Sequence, residues 1–276
     1  MRKTDKSELI LEVAARLKNS SGFFKETKKI GRGISKTEIK ILNKKSSIET
    51  GREIGNYISL VFDDLLFYDV YAKDLLFKST KTSISSLIKT NNISPKKILV
   101  VGLGNEKYAC DSLGKKVVDK ILITKPFLER DLFSRKKMAE LYAISLGVYG
   151  TTGLESSKTI KSICQMLNPD LVIAIDSLVA GQPKTLAQSL QISDTKLLPG
   201  GGVGNNRQEV SENVLGVKVI AIGVPLVVKF NDKIDDLIVT PKDVEQKVDH
   251  LSKIIAKSIN LCFCKLTEKE YMELTS

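Results

Sequence analysis

Lys97-Ile98-Leu99-Val100-Val101-Gly102-Leu103 is a short apolar run, rich in β-branched residues and closed by a glycine. Runs of this kind read as strands buried on both faces, as a parallel sheet requires. Residues 170–175 and 217–224 share the pattern. Between the runs lie residues 112–122 and 156–167, whose apolar positions recur at helical spacing. Strands alternating with helices predict an α/β fold, an open and mostly parallel sheet with helices on both faces. The first third reads differently. Residues 7–17 and 71–89 have helical spacing, while residues 36–42 and 53–62 alternate as strands do. They predict an N-terminal accessory α+β region over residues 1–95, ahead of an α/β body over residues 96–276.

The 276 residues suffice for one large domain or two modest ones. No apolar run approaches the ~18–20 residues of a membrane span. The opening Met1-Arg2-Lys3-Thr4-Asp5-Lys6 is polar where a signal peptide is apolar, so the chain reads as cytosolic. Cys110 and Cys164 stand singly, and Cys262-Phe263-Cys264 has no second pair to complete a zinc site. They read as structural thiols. Lys plus Arg number 43 against 32 Asp plus Glu, a net charge of +11. Such a balance suits a nucleic-acid binder, but the lysines are scattered in pairs such as Lys28-Lys29 and Lys115-Lys116. Trp is absent, and no aromatic platform interleaves with them.

One histidine, His250, removes several chemistries. A Ser–His–Asp or Cys–His hydrolase needs an imidazole between nucleophile and orienting group. His250 instead flanks the apolar helix face Val244, Val248, Leu251, Ile255 and Ile259, a boundary position. Nor can one histidine build a His-rich zinc centre. Gly102-Leu103-Gly104 lacks the third glycine of a dinucleotide loop, where Lys107 stands. The run Gly200-Gly201-Gly202-Val203-Gly204 is followed by Asn205-Asn206-Arg207 rather than the Lys-Ser/Thr of a P-loop. No cofactor and no metal is expected, and hydrolysis would fall to carboxylates. Ligands of open parallel sheets gather beyond the carboxyl ends of the strands. There the sequence offers Asp176, closing the run 171–175, and Asp111, a short loop after the run 98–103. Each also precedes a potential helix and would serve as an N-cap, so spacing alone leaves both roles open.

At these residues the sequence resembles the germination protease family, endopeptidases that degrade small acid-soluble proteins of bacterial spores. The matching pieces occur in order: ILVVGLGN at 98–105 with Asp111-Ser112-Leu113-Gly114, GVYGTTGLESS at 147–157, NPDLVIAIDSL at 168–178, QISDT at 191–195, PGGGVGNNR at 199–207 and LGVKVIAIGVPLVV at 215–228. VTPKDVE at 239–245 resembles the start of the family's C-terminal helix. The resemblance implies an α/β sheet related to hydrogenase-maturation endopeptidases, with Asp111 and Asp176 as the catalytic carboxylates. Those relatives bind metal through a further histidine, which this chain does not offer.

The same resemblance singles out Gly102, Gly104, Asn105, Glu155, Asp194, Asn205 and Arg207 as substrate-binding or supporting candidates. Main-chain amides of 102–105 or 200–205 would face the tetrahedral oxygen. Arg207 would receive the acidic residue after which the family cleaves. Implied too are a spore-core zymogen, small acid-soluble spore proteins as substrate, and a homo-oligomer without nucleic-acid or membrane partners. The segment between Val228 and Ile238 is shorter than in typical members, as is the start. Thr4-Asp5 resembles the end of the family's propeptide, but Lys6 follows where the family has an apolar residue. Glu8-Leu9 is an acidic–apolar junction nearby, so processing is expected after Glu8 or not at all. Two other readings stay open on the sequence: an inert relative acting as an interaction module, and a basic nucleic-acid-binding protein.

Overall fold

The computed structural model describes residues 7–15, 17–130, 137–200, 207–231 and 236–275. Thr4, Asp5 and Lys6 of the expected propeptide junction lie outside them, as does Asn205. Among the described residues nine strands form one sheet: β1 (Phe23–Gly31), β2 (Ile34–Ile41), β3 (Gly55–Val61), β4 (Lys97–Gly102), β5 (Glu140–Ser145), β6 (Leu171–Ala180), β7 (Ser189–Ser193), β8 (Val219–Asn231) and β9 (Asp236–Val239). Their order is β1-β2-β3-β7-β8-β6-β4-β5, with β9 a hairpin partner of β8.

The three apolar runs become β4, β6 and β8, and with β5 they make the parallel centre of the sheet. The flanking pairs are antiparallel, so the parallel character belongs to four strands. Tight hairpins enforce this for β1–β2 and β8–β9, since only antiparallel neighbours can be joined so, while β2–β3, β3–β7 and β7–β8 pair antiparallel across longer connections. The turn between β1 and β2 is Arg32-Gly33, both at positive φ (48° and 73°), as tight two-residue hairpins favour. The N-terminal strands join the same sheet through the β3–β7 pairing.

Period-2 alternation distributes the centre between two cores. Ile98 and Val100 of β4, Ile173 and Ile175 of β6, and Ile220 and Ile222 of β8 share one cluster with Leu76 and Ile84 of the helix Val70–Thr90, Leu113 and Val117 of the helix Leu113–Val118, and Val248, Leu251 and Ile255 of the helix Val244–Phe263. Leu99, Val101, Val172 and Ala174 face the other way, against Ile160 and Cys164 of the helix Ser156–Leu167. Both faces are therefore covered, as expected for strands without a polar side. A third cluster joins the short helix Ile10–Ala14 to Phe23, Ile39, Ile41 and Tyr57 on β1–β3. His250 lies on the helix Val244–Phe263 at the expected boundary, its ring edge-on to Phe67 at 5.9 Å. Burial and the nearby Lys73 charge lower its pKa.

β4 and β6 differ in length at one end, and that difference positions the site. β4 stops opposite Ile175, whereas β6 continues to Ala180 with only β8 as its strand neighbour. A crevice opens where β4 departs.

Candidate active site

Asp176 is the first residue of β6 beyond its last pairing with β4. The strand does not end there, as its polarity suggests in the sequence, because pairing with β8 carries it on for four residues. Asp176 is only 5% exposed, and its Oδ1 accepts the Ser177 N–H at 2.8 Å. Asp111 reaches the same crevice from a 3-10 turn, Ala109–Asp111. The loop from β4 folds back on this turn at Gly104, φ 114°, so closely that a Cβ there would lie 2.2 Å from the Asp111 carbonyl oxygen. Only glycine tolerates both the torsion and the contact. The next residue, Asn105, donates its N–H to Asp111 Oδ2 at 2.8 Å. Neither aspartate is a helix N-cap: Ser112 holds that position after Asp111, and Asp176 lies within a strand. The capping role left open by the sequence is not the one the structure shows.

A cavity of about 600 Å³ takes in both aspartates together with Gly104, Asn105, Glu155, Gly200 and Arg207. The Arg207 guanidinium stacks 4.2 Å over the Tyr149 ring and lies 3.7 Å from Glu155 Oε2. Two candidates stand elsewhere. At Gly102 a Cβ would meet the Gly114 carbonyl oxygen at 2.2 Å, so this glycine lets β4 and the helix Leu113–Val118 touch. Asp194 accepts hydrogen bonds from Asn56 N and Nδ2 at 2.7 Å each and from Asn91 Nδ2 at 2.8 Å. It ties the end of β7 to β3 and to the end of the helix Val70–Thr90.

Burial dominates the electrostatics. It raises the Asp176 carboxyl well above the usual aspartate range, and the charges of Asp111 and then Glu8 push in the same direction. Burial also raises Asp111, against the Asn105 hydrogen bond. The two carboxyls face one cavity, each with one oxygen held by a main-chain amide; the other oxygen of each makes no hydrogen bond among the described residues. Cys110 lines the cavity as well, but burial and the Asp111 charge raise its pKa and keep it a thiol. Among the described residues, no group of three or more His, Cys, Asp or Glu is placed to hold a metal ion.

Four cavity residues were not among the site candidates of the sequence: Glu8, Tyr149, Ser177 and Val179. Tyr149 and Ser177 sit inside matched motifs, where the glycines around Tyr149 and the adjacency of Ser177 to Asp176 were the available clues. Glu8 stood out in the sequence only as a processing junction, and its place in the cavity comes through the fold. Its carboxylate accepts the Val179 N–H at 2.7 Å across 171 sequence positions.

A family model described as germination protease matches residues 5–236 of the chain. The germination protease of Clostridium tetani is 33% identical over 285 residues, covering 86% of this chain and 87% of that protein. The germination protease of Priestia megaterium is 37% identical over 206 residues, 74% of this chain and 55% of that protein. Among solved structures, a NiFe hydrogenase maturation protease from Thermococcus kodakarensis is similar over 64% of this chain and 98% of its own, at 16% identity and a TM-score of 0.37.

Proposed function

Because the chain belongs to the germination protease family and is a peptidase, we propose that it starts the breakdown of small acid-soluble spore proteins at germination with Asp111 and Asp176 as its catalytic pair. The observation that carries this reading is the shared cavity with one buried and one half-buried carboxyl, Asp176 and Asp111, both shifted toward the protonated form. Two carboxyls in one such site do not both ionise readily, so they hold a proton between them and titrate as a unit. The more buried Asp176 favours the proton and donates it as a hydrogen bond to the scissile carbonyl. Asp111 accepts a proton from the attacking water. Collapse of the tetrahedral intermediate then returns that proton to the leaving amine.

The developing oxyanion needs a donor of its own. In the 102–105 loop the Leu103 N–H is bound to Ile175 O and the Asn105 N–H to Asp111 Oδ2, so within this loop we assign the role to the Gly104 N–H; of the alternative loop 200–205, residues 201–205 lie outside the described residues. Arg207, spread flat on Tyr149, offers a guanidinium fork to an acidic substrate side chain. No helix among the described residues is long and apolar enough to cross a membrane, which suits the proposed setting in the spore core. The same reading includes synthesis as a zymogen and assembly as a homo-oligomer.

Incubation of the purified chain with a small acid-soluble spore protein, with and without chelator, tests the proposal. Discrete cleavage in both conditions is expected. Intact substrate would instead leave an interaction module, and salt-sensitive DNA binding without cleavage would leave a nucleic-acid binder.

A further inference from the structure

The end of β6 is a strand edge with a place beside it. The last bond from the β4 side runs from Leu103 N–H to Ile175 O at 2.8 Å. Main-chain groups of alternate residues point to the same side of a strand, so Ser177 and Val179 direct theirs toward the space β4 leaves. On the opposite side β8 bulges, Leu178 pairing with Pro225 but Val179 with Val227, and Val227 lines the cavity. Bulges of this kind re-aim side chains beside active sites.

Residues from the start of the chain lie along the edge. Glu8 N–H donates to Val179 O at 2.9 Å, and Val179 N–H donates to Glu8 Oε2 at 2.7 Å. Glu8 O accepts from Gln191 Nε2 at 3.3 Å, and Ser7 O accepts from Arg52. Leu9 is extended, with φ −82° and ψ 122°. The segment thus places an acidic side chain in the cavity and uses the edge partly through main-chain bonds, as an added strand would. A second observation points to a ligand. The Ser177 hydroxyl is buried with no hydrogen-bond partner among the described residues, and Ser177 lines the same cavity. Buried hydroxyls are seldom left so.

We propose that the edge of β6 at residues 177–180 is the docking edge for the peptide substrate, which adds there in extended form, and that Ser7 and Glu8 occupy this edge in the unliganded chain. Strand addition draws affinity from main-chain hydrogen bonds and leaves side chains to set preference. It also brings a peptide past Asp176. The inference rests on reading the cavity as a peptidase site.

A hexapeptide copying residues 7–12, Ser-Glu-Leu-Ile-Leu-Glu, is labelled at its end and titrated against the full chain carrying Asp111→Asn, which separates binding from turnover. Methylation of the Glu amide nitrogen should weaken binding about tenfold or more, since it deletes one main-chain bond and crowds the edge. Methylation of the next amide, on Leu, should change it less than about threefold, because that amide donates to Ser7 Oγ within the segment and not to the edge. Adding Glu8→Ala to the full chain should tighten peptide binding at least about threefold, because it frees the Val179 N–H from the Glu8 carboxylate and weakens the hold of the chain's own start on the edge. Equal effects of the two methyl groups would overturn the docking mode, and unchanged affinity with Glu8→Ala would overturn the occupancy by the chain's own start. Alternation without cleavage by the unsubstituted chain would keep the edge and remove the peptidase reading. Cleavage without alternation would do the reverse.

Discussion

At Asp176 a carboxyl sits 5% exposed on a strand of apolar neighbours, with the Ser177 amide as its one hydrogen-bond donor among the described residues. Asp176→Asn and Asp111→Asn should each lower kcat by about 10²–10⁴-fold, the span of general acid–base catalysis, with circular dichroism unchanged. Near-normal turnover by either folded variant would remove that residue from the pair. Cys110→Ala and His250→Ala should stay active, since neither side chain has a part in the mechanism. Stability should move the other way from activity at Asp176. Its folded-state pKa lies above the unfolded one, so the native state binds the proton more tightly. Stability from this group is complete below the unfolded value of about 3.9 and is lost as pH rises through the raised folded value. Asp176→Asn carries no such penalty, so its melting temperature should exceed that of the unsubstituted chain at neutral pH, and the gap should shrink on acidification. A gap that widens in acid would contradict the direction of the shift.

Elements were legible in the sequence where burial is two-sided. β4, β6 and β8 announce themselves because both faces must be apolar, as Ile98 to Val101 and Val172 to Ile175 are. Half-polar strands were legible only where they alternate, as residues 36–42 and 53–62 do in what are β2 and β3; β1, β5 and β7 were not. β1 carries six exposed positions, β5 is only half-buried, and β7, Ser189–Ser193, mixes serine and glutamine with its apolar residues. Polarity misled at β6, where Asp176 looks like an end although main-chain pairing ignores side-chain charge. The expected helix over 112–122 closes at Val118, and that over 7–17 spans only Ile10–Ala14. The crevice rule found Asp111 and Asp176 because it depends on strand ends, which the pattern marks. Locally Glu8 reads only as part of an acidic–apolar junction, and nothing in that pattern places it in the cavity. Asp194 shows the opposite case, a residue in a matched motif whose partners are structural. Asp194→Ala should lower unfolding free energy by about 2–4 kcal/mol, from three lost charge-assisted hydrogen bonds. Turnover per folded molecule should stay within about twofold of the starting value. A large fall in kcat with unchanged denaturant midpoint would give Asp194 a part in the reaction instead.

Across the whole molecule the start of the chain is fastened to the connection between β6 and β7. Leu9, Ile10 and Ala14 are buried, and Glu12 accepts hydrogen bonds from Gly181 N–H and Thr185 Oγ at 2.7 and 2.8 Å. A cut after Glu8 would leave this anchor intact, so active preparations should show either the full-length mass or a chain beginning at Leu9. A new N-terminus at Lys6 would mean that the Asp5-Lys6 bond is the processing site after all. The sheet order has a consequence for how the protein is made. β3 is complete at Val61, yet its inner neighbour β7 begins only at Ser189. On a ribosome adding ~5–20 residues per second, the roughly 130 residues between them take about 6–26 s to appear. Until then the nascent hairpin of β1 and β2 can recruit β3 but leaves one of its borders open. The outer border is guarded, since β1 carries Lys25, Lys28 and Lys29, charges that discourage pairing with another chain. The border offered by β3, with Tyr57, Ile58 and Leu60, has no such guard. Neighbouring ribosomes on one message would present this border to each other, which makes translation the stage at which two copies of the protein are most exposed to pairing wrongly.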